Sequence, residues 1–519
     1  DGLRKCLMDE FTAIYVFNLR GNQRTSGDLS RREGGKIFGS GSRASIAVTL
    51  LVKNPDRKGK CQLFYHDIGD YLNREDKLKI ITDFASFKNI SWGKITPNAS
   101  HDWINQRDPA FDNFIPLGDN NEKGDKAIFS SYSLGLGSNR DAWVYNFSRA
   151  SLSANMRRMT DAYNREVERY KLACKGKSKD EWPKVEDFVD TDPKRISWSS
   201  SLLPNVARGR TANFSAASIV VGVYRPYSKQ YLYFDGMMNH RVGKFPKIFP
   251  DESFKNLVIS VSGIGASKDF SALIADSIPN LHFHDSGQCF PLYTYEKPEE
   301  AGGLLAEMET GEYRRKENIP DAILADFRKA YNDATISKED IFYYVYGILH
   351  SPEYKTRFAA DLKKMLPRIP LAANFRAFSI AGRELAKWHL NYETVDPYPL
   401  KELSGKLGFD PKEHYRVQKM TFGKSGGKSD KTTIVYNSHV TLTGIPLDAY
   451  DYVVNGKPAL EWIMERYAVT VDKDSGIRND PNDWSDDPQY IINLVKRIVR
   501  VSLETMKIVN ALPALDERK

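Results

Sequence analysis

The chain has 519 residues and a formal net charge of +8, so it is too long for one ordinary hydrophobic core and carries a modest basic excess. Its length predicts about two to four domains, and its charge favours an anionic partner. The four cysteines are far apart and form no Cys-x-x-Cys pair, which indicates neither a zinc knuckle nor a disulfide framework. No apolar run approaches the roughly eighteen residues that span a bilayer. We therefore expect a cytoplasmic protein without a membrane partner.

Two apolar runs near the start of the chain predict a pair of buried strands. They are TAIYVFNL at residues 12–19 and IAVTLLV at residues 46–52, and a helix is predicted before the first run. Nearly continuous apolar runs are typical of strands that are covered on both faces, so we expect central strands of a mostly parallel sheet. Because the chain opens inside the predicted helix, we expect it to be a fragment of a longer protein.

The loop between these two strands is basic and rich in glycine. Its charged residues are Arg20, Arg24, Arg31, Arg32, Lys36 and Arg43 against Asp28 and Glu33. Binding residues often lie on loops beside a rigid sheet, which makes this loop a candidate phosphate-contacting surface. A solvated charged loop explains the same composition equally well.

The sharpest nucleic-acid signal lies between residues 193 and 234, where the chain has no Asp or Glu. Its basic residues, interleaved with aromatic ones, are Lys194, Arg195, Arg208, Arg210, Arg225 and Lys229. Lys and Arg neutralise phosphates and aromatic rings stack on bases, so the pattern predicts nucleic-acid binding. The alternative is that the aromatic residues form core, which we favour for Tyr231, Tyr233 and Phe234.

Two other segments carry patterns with more than one interpretation. Arg140, Trp143, Tyr145 and Phe147 follow a Gly/Ser turn in a layout that suits base or sugar contact as well as hairpin packing, and we favour packing. Residues 171–193 are charged and poor in apolar side chains, which predicts a hinge or linker.

A glycine turn and a histidine pair raise the questions of a cofactor and a metal. Residues 257–275, LVISVSGIGASKDFSALIA, predict a strand, a turn and a helix, the order found where a cofactor phosphate binds. Gly263 and Gly265 alone are a weak signal, because no acidic residue follows at the end of a second strand. His282 and His284 would share one face of a strand beside Asp285, but further ligands are missing and we predict no metal.

The second half of the chain predicts a helical block and then a strand-rich piece. Ser337 and Asp340 predict a cap that starts one helix. Further helices are predicted at residues 321–331, 351–367, 375–390 and 489–512. Residues 412–442 predict strands with a basic turn at residues 424–428.

Ten stretches in chain order resemble one family. They are FTAIYVFNLRGNQRTSG, GGKIFGSGSRASIAVTLLVKNP, FYHDIGDYL, NRDAWVYNFS, ISWSSSL, YRPYSKQYLYFD, DSGQCFPLYTY, YGILHSPEY, VNGKPALEWIMERY and SGIRNDPNDW. Together they are similar to the type ISP restriction-modification enzymes, single chains that join a nuclease, a helicase-like ATPase, an adenine-N6 DNA methyltransferase and a target-recognition domain. The resemblance covers essentially the whole chain. The family's AdoMet-binding glycine motif and catalytic Asn-Pro-Pro-Tyr are both missing, since Asn54 and Pro55 are followed by Asp56.

The resemblance implies an α/β partial Rossmann-like methyltransferase sheet followed by a mixed α+β target-recognition domain. Residues 1–190 would be the C-terminal portion of the N6-adenine DNA methyltransferase domain with a linker, and residues 191–519 the DNA target-recognition domain. The implied function is sequence-specific recognition of double-stranded DNA, which directs adenine-N6 methylation and cleavage. The implied partners are the missing methyltransferase, helicase and nuclease parts of the same polypeptide. S-adenosylmethionine, and ATP with Mg²⁺, would serve the full-length parent; we expect this chain to hold no cofactor and not to methylate alone.

Site residues follow from the resemblance and from the basic segments. Phe38, in KIFGSGSR, is similar in place to an aromatic residue that helps to hold the flipped target base. The predicted DNA-binding residues are Arg20, Arg43, Arg140, Arg208, Arg210, Arg225 and Lys229. No catalytic, cofactor-binding or metal-binding residue is predicted. Two alternatives are a self-sufficient AdoMet-dependent transferase that uses the Gly263 turn, and an RNA-binding protein with aromatic platforms.

Overall fold

The computed structural model describes residues 2–24, 27–39, 43–119, 126–297, 313–405, 410–516 and 518. The chain divides into two units. The first consists of Asp1–Phe114, Ile264–Phe270 and Tyr354–Pro370, and the second of Ile115–Gly263, Ser271–Glu353 and Leu371–Lys519. Each unit therefore gathers segments that are far apart in the sequence.

The helices are α1 (Gly2–Glu10), α2 (Gly27–Glu33), α3 (Arg74–Phe84), α4 (Asp141–Val144), α5 (Arg149–Cys174), α6 (Val185–Phe188), α7 (Leu203–Ala207), α8 (Phe245–Ile248), α9 (Asp321–Tyr331), α10 (Lys338–His350), α11 (Pro352–Arg357), α12 (Ala359–Leu362), α13 (Phe375–Leu390), α14 (Pro411–His414), α15 (Ala459–Arg466) and α16 (Tyr490–Asn510). The strands are β1 (Ala13–Arg20), β2 (Ile46–Val52), β3 (Gln62–Asp67), β4 (Gly93–Ile95), β5 (Ile115–Pro116), β6 (Ser133–Leu134), β7 (Tyr145–Asn146), β8 (Ile219–Arg225), β9 (Ser228–Tyr233), β10 (Val258–Val261), β11 (Ala272–Ala275), β12 (Ile278–Pro279), β13 (Gln288–Pro291), β14 (Tyr293–Glu296), β15 (Arg314–Glu317), β16 (Arg368–Ile369), β17 (Lys401–Ser404), β18 (Thr421–Ser425), β19 (Lys428–Val435), β20 (Val440–Thr443), β21 (Val453–Val454), β22 (Lys457–Pro458), β23 (Thr470–Val471) and β24 (Arg478–Asn479).

The first unit contains a mixed four-stranded sheet with the strand order β2-β1-β3-β4. Strand β1 is parallel to β3 and antiparallel to β2. The sequence predicted both β1 and β2 as buried central strands, and this is wrong for β2. Strand β2 lies at the end of the sheet, and its apolar side chains are largely exposed, with Val48 at 54%. A continuous apolar run indicates burial on both faces, but β2 has only one strand beside it in this unit.

A buried carboxylate joins the separate segments of the first unit. Asp102 is 1% exposed and accepts hydrogen bonds from Arg4 at 3.1 Å, Arg107 at 2.8 Å and Lys364 at 2.6 Å. Burial alone raises a carboxyl pKa, but the hydrogen bonds from Lys364 and Arg107 hold the pKa of Asp102 well below its usual range. The ion pairs therefore fix the segment at residues 354–370 to the first 114 residues.

The described residues of the second unit include three four-stranded sheets, several two-stranded hairpins and a helical block. The strand orders are β11-β10-β13-β6, β12-β8-β9-β7 and β17-β20-β19-β18. The predicted bounds of α9 and α13 are confirmed, and Ser337 and Asp340 form the predicted capping box of α10. Helices α10 and α13 touch through their backbones, because a Cβ on Gly347 or Gly382 would collide with a carbonyl oxygen of the opposite helix.

The predicted linker is instead packed into the second unit. Val185 and Val189 are buried in the same core cluster as α5, and the hydroxyl of Tyr170 donates to the carbonyl of Pro183 at 2.7 Å. A few well-placed apolar residues therefore outweigh the charged composition of this stretch. The predicted functional boundary near residue 190 stays a prediction, while the two units separate at residues 114 and 115.

The helix predicted after the glycine turn is wrong, because that segment is strand β11. It pairs antiparallel with β10 in the register Val258 with Ala275. All four residues of β11 are buried, and periodicity cannot distinguish so short an apolar run from a helix. A phosphate-binding turn needs a helix N-terminus, so the structure does not support the AdoMet interpretation of Gly263.

The histidine pair lies in a turn and not on the predicted strand. His284 is fully buried, with Nδ1 3.0 Å from the Ser260 hydroxyl, and burial lowers the pKa of its imidazole to about 3. In the part of the chain that the structure describes, no His, Cys, Asp and Glu side chains group as a metal site would require. In the same part, no helix has the length and apolar character needed to cross a bilayer.

Candidate nucleic-acid interface

Helix α5 positions the segment that follows α7. The helix starts at Ser148, whose hydroxyl accepts a hydrogen bond from the Ser151 amide, and it buries one face in the core. The helix also holds the following segment in place: the Asn164 side chain exchanges two hydrogen bonds of 2.9 Å with the backbone of Ala212. The Tyr163 hydroxyl donates to the carbonyl of Arg210 at 2.7 Å. The segment is therefore an anchored loop.

This anchored loop runs along α5 in the opposite direction. Gly209 lies close to the Lys171 side chain, and Phe214 lies under the guanidinium of Arg157 at 4.1 Å. Phe214 in turn stacks on Tyr233, with ring centroids 5.6 Å apart. Because α5 rises 1.5 Å per residue, the loop follows the helix for about 20 Å.

Three arginines stand on this surface, and we call Arg157, Arg208 and Arg210 the basic strip. All three are exposed. Among the described residues, no carboxylate lies within ion-pair distance of Arg208 or Arg210. Lys171 differs, because its ammonium group pairs with Glu168 at 2.7 Å. The strip thus presents positive charge that the fold leaves available.

Arg225 and Lys229 lie at the turn end of the β8–β9 hairpin, where carboxylates offset their charges. Arg225 lies 3.9 Å over the ring of Tyr224, donates to Asn280 at 2.9 Å and is 3.5 Å from Asp141. Lys229 is 2.9 Å from Glu393 and 3.6 Å from Asp276. Burial lowers the pKa of Lys229, but the two carboxylates raise it by more, so its net shift is upward.

Arg140 is buried, and its guanidinium is used entirely inside the fold. It donates to the carbonyl of Ser197 at 3.0 Å, to the hydroxyl of Ser199 at 2.6 Å and to the carbonyl of Met238. Burial lowers its pKa to about 10. This buried position corrects the prediction that Arg140 contacts DNA from the surface. The guanidinium instead connects its own loop to the loops that contain Ser197 and Met238. The neighbouring Trp143, Tyr145 and Phe147 are also buried, which confirms the packing interpretation.

A cleft of about 560 Å³ opens in the same unit next to Asp141, the ion-pair partner of Arg225. Its lining includes Tyr224 and Arg466 together with the β23–β24 hairpin. Asp141, Glu465, Asp472 and Asp474 line it as well. Charges of both signs therefore meet in this cleft, which does not favour a polyanion there.

The β18–β19 hairpin, which we call the ribbon, lies in the segment where the sequence predicts strands with a basic turn at residues 424–428, and the structure confirms both. Ser425 pairs with Lys428, so the loop consists of Gly426 and Gly427, which have φ values of 56° and 78°. Positive φ at both positions is the requirement of a type I′ turn. Lys424 and Lys428 are exposed on either side of it. The signal for a hairpin was present in the sequence as a Gly-Gly pair between two runs that contain the strand formers Thr, Phe, Ile and Val.

The remaining predicted site residues belong to the first unit. Arg20 forms ion pairs with Asp67 at 2.7 Å and with Asp70. Arg43 is exposed, and its guanidinium lies 3.4 Å from the carbonyl of Gln23. Phe38 is 63% exposed. The ring of Phe38 is therefore accessible, whereas the charge of Arg20 is offset by two carboxylates of the first unit.

A family model described as the Type ISP C-terminal specificity domain matches residues 127–494. The chain belongs to the Type ISP family. A solved structure of a nuclease-deletion mutant of the Type ISP restriction-modification enzyme LlaGI, in complex with a DNA substrate mimic, is 42% identical to it, with a TM-score of 0.84. That comparison covers 100% of this chain and 45% of the LlaGI chain.

Two further structures are also similar to this Type ISP chain. The ATP-dependent Type ISP enzyme LlaBIII bound to DNA is 33% identical, with a TM-score of 0.83 and coverage of 100% of this chain and 32% of that one. A DrdV–DNA complex solved by cryoEM is 31% identical, with a TM-score of 0.81 and coverage of 99% and 49%. The Type ISP chain thus spans less than half of each relative. No curated protein matches it.

The matched Type ISP specificity domain contains most of the predicted DNA-binding residues. Arg140, the basic strip, Arg225, Lys229 and the ribbon all lie between residues 127 and 494. Arg20, Phe38 and Arg43 precede it. The mixed α/β fold of the second unit is that of the C-terminal region of Type ISP enzymes.

Proposed function

We propose that this chain recognises a short sequence in double-stranded DNA and lends that specificity to adenine-N6 methylation and cleavage by a longer Type ISP enzyme. The observation that carries the proposal is the match of residues 127–494 to the Type ISP C-terminal specificity domain. Duplex DNA as the partner is supported by the LlaGI, LlaBIII and DrdV structures, each of which contains DNA or a DNA substrate mimic.

The basic strip is the proposed phosphate-contacting surface. Arg208 and Arg210 are exposed on a loop whose backbone is hydrogen-bonded to α5, so little backbone conformational entropy is lost when they bind. Arg225 and Lys229 are also proposed to contact DNA. Each is paired with a carboxylate in the structure and would have to exchange that partner for a phosphate. Arg20 is subject to the same condition through Asp67, whereas Arg43 is exposed.

The first unit is proposed to be the end of a Rossmann-like methyltransferase sheet. The support is that β2 is an end strand whose outer edge and apolar side chains are uncovered in this unit, a condition that strand pairing with a longer sheet relieves. Phe38 is the proposed aromatic wall for the flipped adenine, since its exposed ring is available for stacking on an extrahelical base.

The methyltransferase, helicase and nuclease parts of a longer polypeptide are the proposed partners. S-adenosylmethionine, and ATP with Mg²⁺, are proposed for those parts and not for this chain. We therefore expect no transfer of labelled methyl groups from S-adenosylmethionine to duplex DNA by the purified chain. Measured labelling above a protein-free control would contradict this expectation.

The proposed recognition is tested by selection from a random duplex DNA pool at near-physiological salt. The purified chain is compared with an Arg208→Ala/Arg210→Ala variant. We expect an enriched asymmetric motif for the unmutated chain. The variant should bind about tenfold more weakly, and the slope of log affinity against log salt concentration should fall by about 1.8, since each phosphate contact contributes roughly 0.9.

A Lys387→Ala/Lys507→Ala variant is the matched control, because both lysines are exposed on helices of the same unit and the charge change is equal. It should enrich the same motif as the unmutated chain. Tight binding without any enriched motif would contradict sequence recognition by this chain alone. A preference for single-stranded RNA over duplex DNA at equal salt would identify RNA as the partner and overturn the proposal.

A further inference from the structure

The ribbon is anchored at its base and open at its tip. Ile434 is fully buried near the base, and a Cβ on Gly423 would lie only 2.8 Å from the Thr433 side chain, so the two strands touch closely there. At the tip, a Cβ on Gly426 or Gly427 would meet nothing within 4 Å. The ribbon therefore projects from a rigid base into open space.

The pairing of charged side chains also differs between the base of the ribbon and its tip. Near the base, Lys431 pairs with Glu461 at 2.9 Å and lies 4.9 Å over the ring of Tyr450. The carboxylate of Asp430 accepts hydrogen bonds from the amide and hydroxyl of Thr432, so it is used locally. At the tip, no ion pair to Lys424 or Lys428 is found among the described residues. Only the tip lysines are available to a partner.

The register places one tip lysine on each face of the ribbon. Lys424 pairs with Ser429, and Ser425 pairs with Lys428. Directly paired residues share a face, and successive residues of a strand point to opposite faces. Each face of the tip thus carries one lysine and one serine hydroxyl, with no apolar side chain.

This arrangement matches the shape and chemistry of the DNA major groove. The groove is about 12 Å wide and admits a two-stranded ribbon, whereas the minor groove of undistorted B-DNA is only about 6 Å wide and must be widened to take one. Lysines on both faces would reach the phosphates of both groove walls or guanine O6 and N7 at its floor, and serine hydroxyls can contact any base edge. A lipid surface fits the tip less well, because electrostatic membrane contacts use clusters of about four to eight Lys or Arg side chains, and the tip carries only Lys424 and Lys428 with no apolar side chain beside them.

Resting on the proposed function, we propose that the β18–β19 ribbon enters the major groove of the recognised DNA, with Lys424 and Lys428 as its contact residues. The ribbon is a second contact element, separate from the basic strip: the strip holds the outside of the duplex, and the ribbon reaches the base edges. Sequence information is read inside the groove, so the ribbon carries part of the specificity.

The test uses the full chain and the duplex site enriched from the random pool. A Lys424→Ala/Lys428→Ala variant is compared with the unmutated chain and with the Lys387→Ala/Lys507→Ala control. We expect an affinity loss on the order of tenfold and a salt slope lower by up to about 1.8. We also expect lost protection of guanine N7 from dimethyl sulfate, while the control variant matches the unmutated chain. Guanine N7 faces the major groove, whereas adenine N3 faces the minor groove, so the probe distinguishes the two.

Unchanged affinity and unchanged guanine N7 protection in the ribbon variant would overturn the inference. If the Arg208→Ala/Arg210→Ala variant still lost binding in that case, the proposed function would stand without the ribbon. Loss of adenine N3 protection alone would assign the ribbon to the minor groove and also overturn the inference. If the unmutated chain bound no duplex DNA, the proposed function would fail and the inference would fail with it.

Discussion

Two hairpins of the second unit have nearly the same local design and opposite surroundings. In β8–β9, Arg225 pairs with Ser228 across a two-residue turn, and in β18–β19, Ser425 pairs with Lys428 across another. The turn residue Tyr227 is 1% exposed and its hydroxyl lies 2.9 Å from that of Tyr452. Gly427, in the equivalent position, faces open space. A basic hairpin tip therefore becomes part of the core where distant segments pack against it, as at Tyr227, and stays exposed where the described residues leave space around it, as at Gly427.

Partners from distant positions make this difference. The carboxylates that offset Arg225 and Lys229 come from Asp141, Asp276 and Glu393, which are far from the hairpin in sequence. No comparable group reaches the ribbon tip among the described residues. Substitutions in the β8–β9 hairpin and in the residues around it test whether that turn is structural.

The largest effect is expected at the buried turn. Tyr227→Ala removes a ring that packs on Tyr392 at 5.1 Å, together with the hydrogen bond to Tyr452. We expect the free energy of unfolding to fall by about 4 kcal/mol, as for other buried aromatic truncations. Tyr227→Phe, which keeps the ring, should cost only about 1 kcal/mol. Denaturant unfolding measures both, and equal losses for the two variants would contradict the packing role of the ring.

The next effect separates a buried arginine from an exposed one. Arg140→Ala leaves a cavity and three acceptors without their donor, so we expect a loss of about 3 kcal/mol in unfolding free energy. Arg208→Ala should change it by less than about 0.5 kcal/mol, because its side chain is exposed. Thermal unfolding of both variants checks this. A larger loss for Arg208→Ala than for Arg140→Ala would reverse their assigned roles.

A smaller, pH-dependent effect is expected at Lys229. Lys229→Met removes the ion pairs to Glu393 and Asp276, and we expect a cost of about 2 kcal/mol at neutral pH. Because the folded-state pKa of Lys229 is raised, its contribution is complete below the unfolded pKa of about 10.4 and is lost as pH rises through the folded pKa. Unfolding measured from pH 7 upward should therefore show a constant difference between variant and unmutated chain that shrinks only above about pH 10.4. A difference that grows with pH would contradict the raised pKa.

Local signals in the sequence predicted most of the helical block, but the helix predicted at residues 351–367 is divided into α11 and α12 and ends at Leu362. Ser337 and Asp340 predicted the start of α10 because a capping box satisfies the free amides of a first turn. Helix α16 was predicted over residues 489–512 and spans Tyr490–Asn510. Its apolar side chains at helical spacing are buried at Ile491, Leu494, Ile498 and Val501 and partly buried at Met506 and Ile508. Elements whose pattern extends over three or more turns could thus be predicted from the sequence alone.

Short elements and paired charges could not be predicted in this way. Strand β11 has four residues, too few for a period to be distinguished. The segment at residues 193–234 carries no acid of its own, yet Arg225 and Lys229 are offset by carboxylates from elsewhere. Free and paired arginines look alike in the sequence, because the partners belong to tertiary structure. The available charge of the basic strip was therefore visible only in the structure.

The Asp102 network decides how this polypeptide can be divided. The chain leaves the first unit at Phe114 and returns to it twice, at Ile264–Phe270 and Tyr354–Pro370. A truncation at residue 114 would remove Lys364 and leave the buried carboxylate with Arg4 and Arg107 as its ion-pair partners. No single cut can separate the units, so a recognition region could be exchanged between relatives only by replacing the sequence around residues 264–270 and 354–370 while leaving both segments with their own first unit.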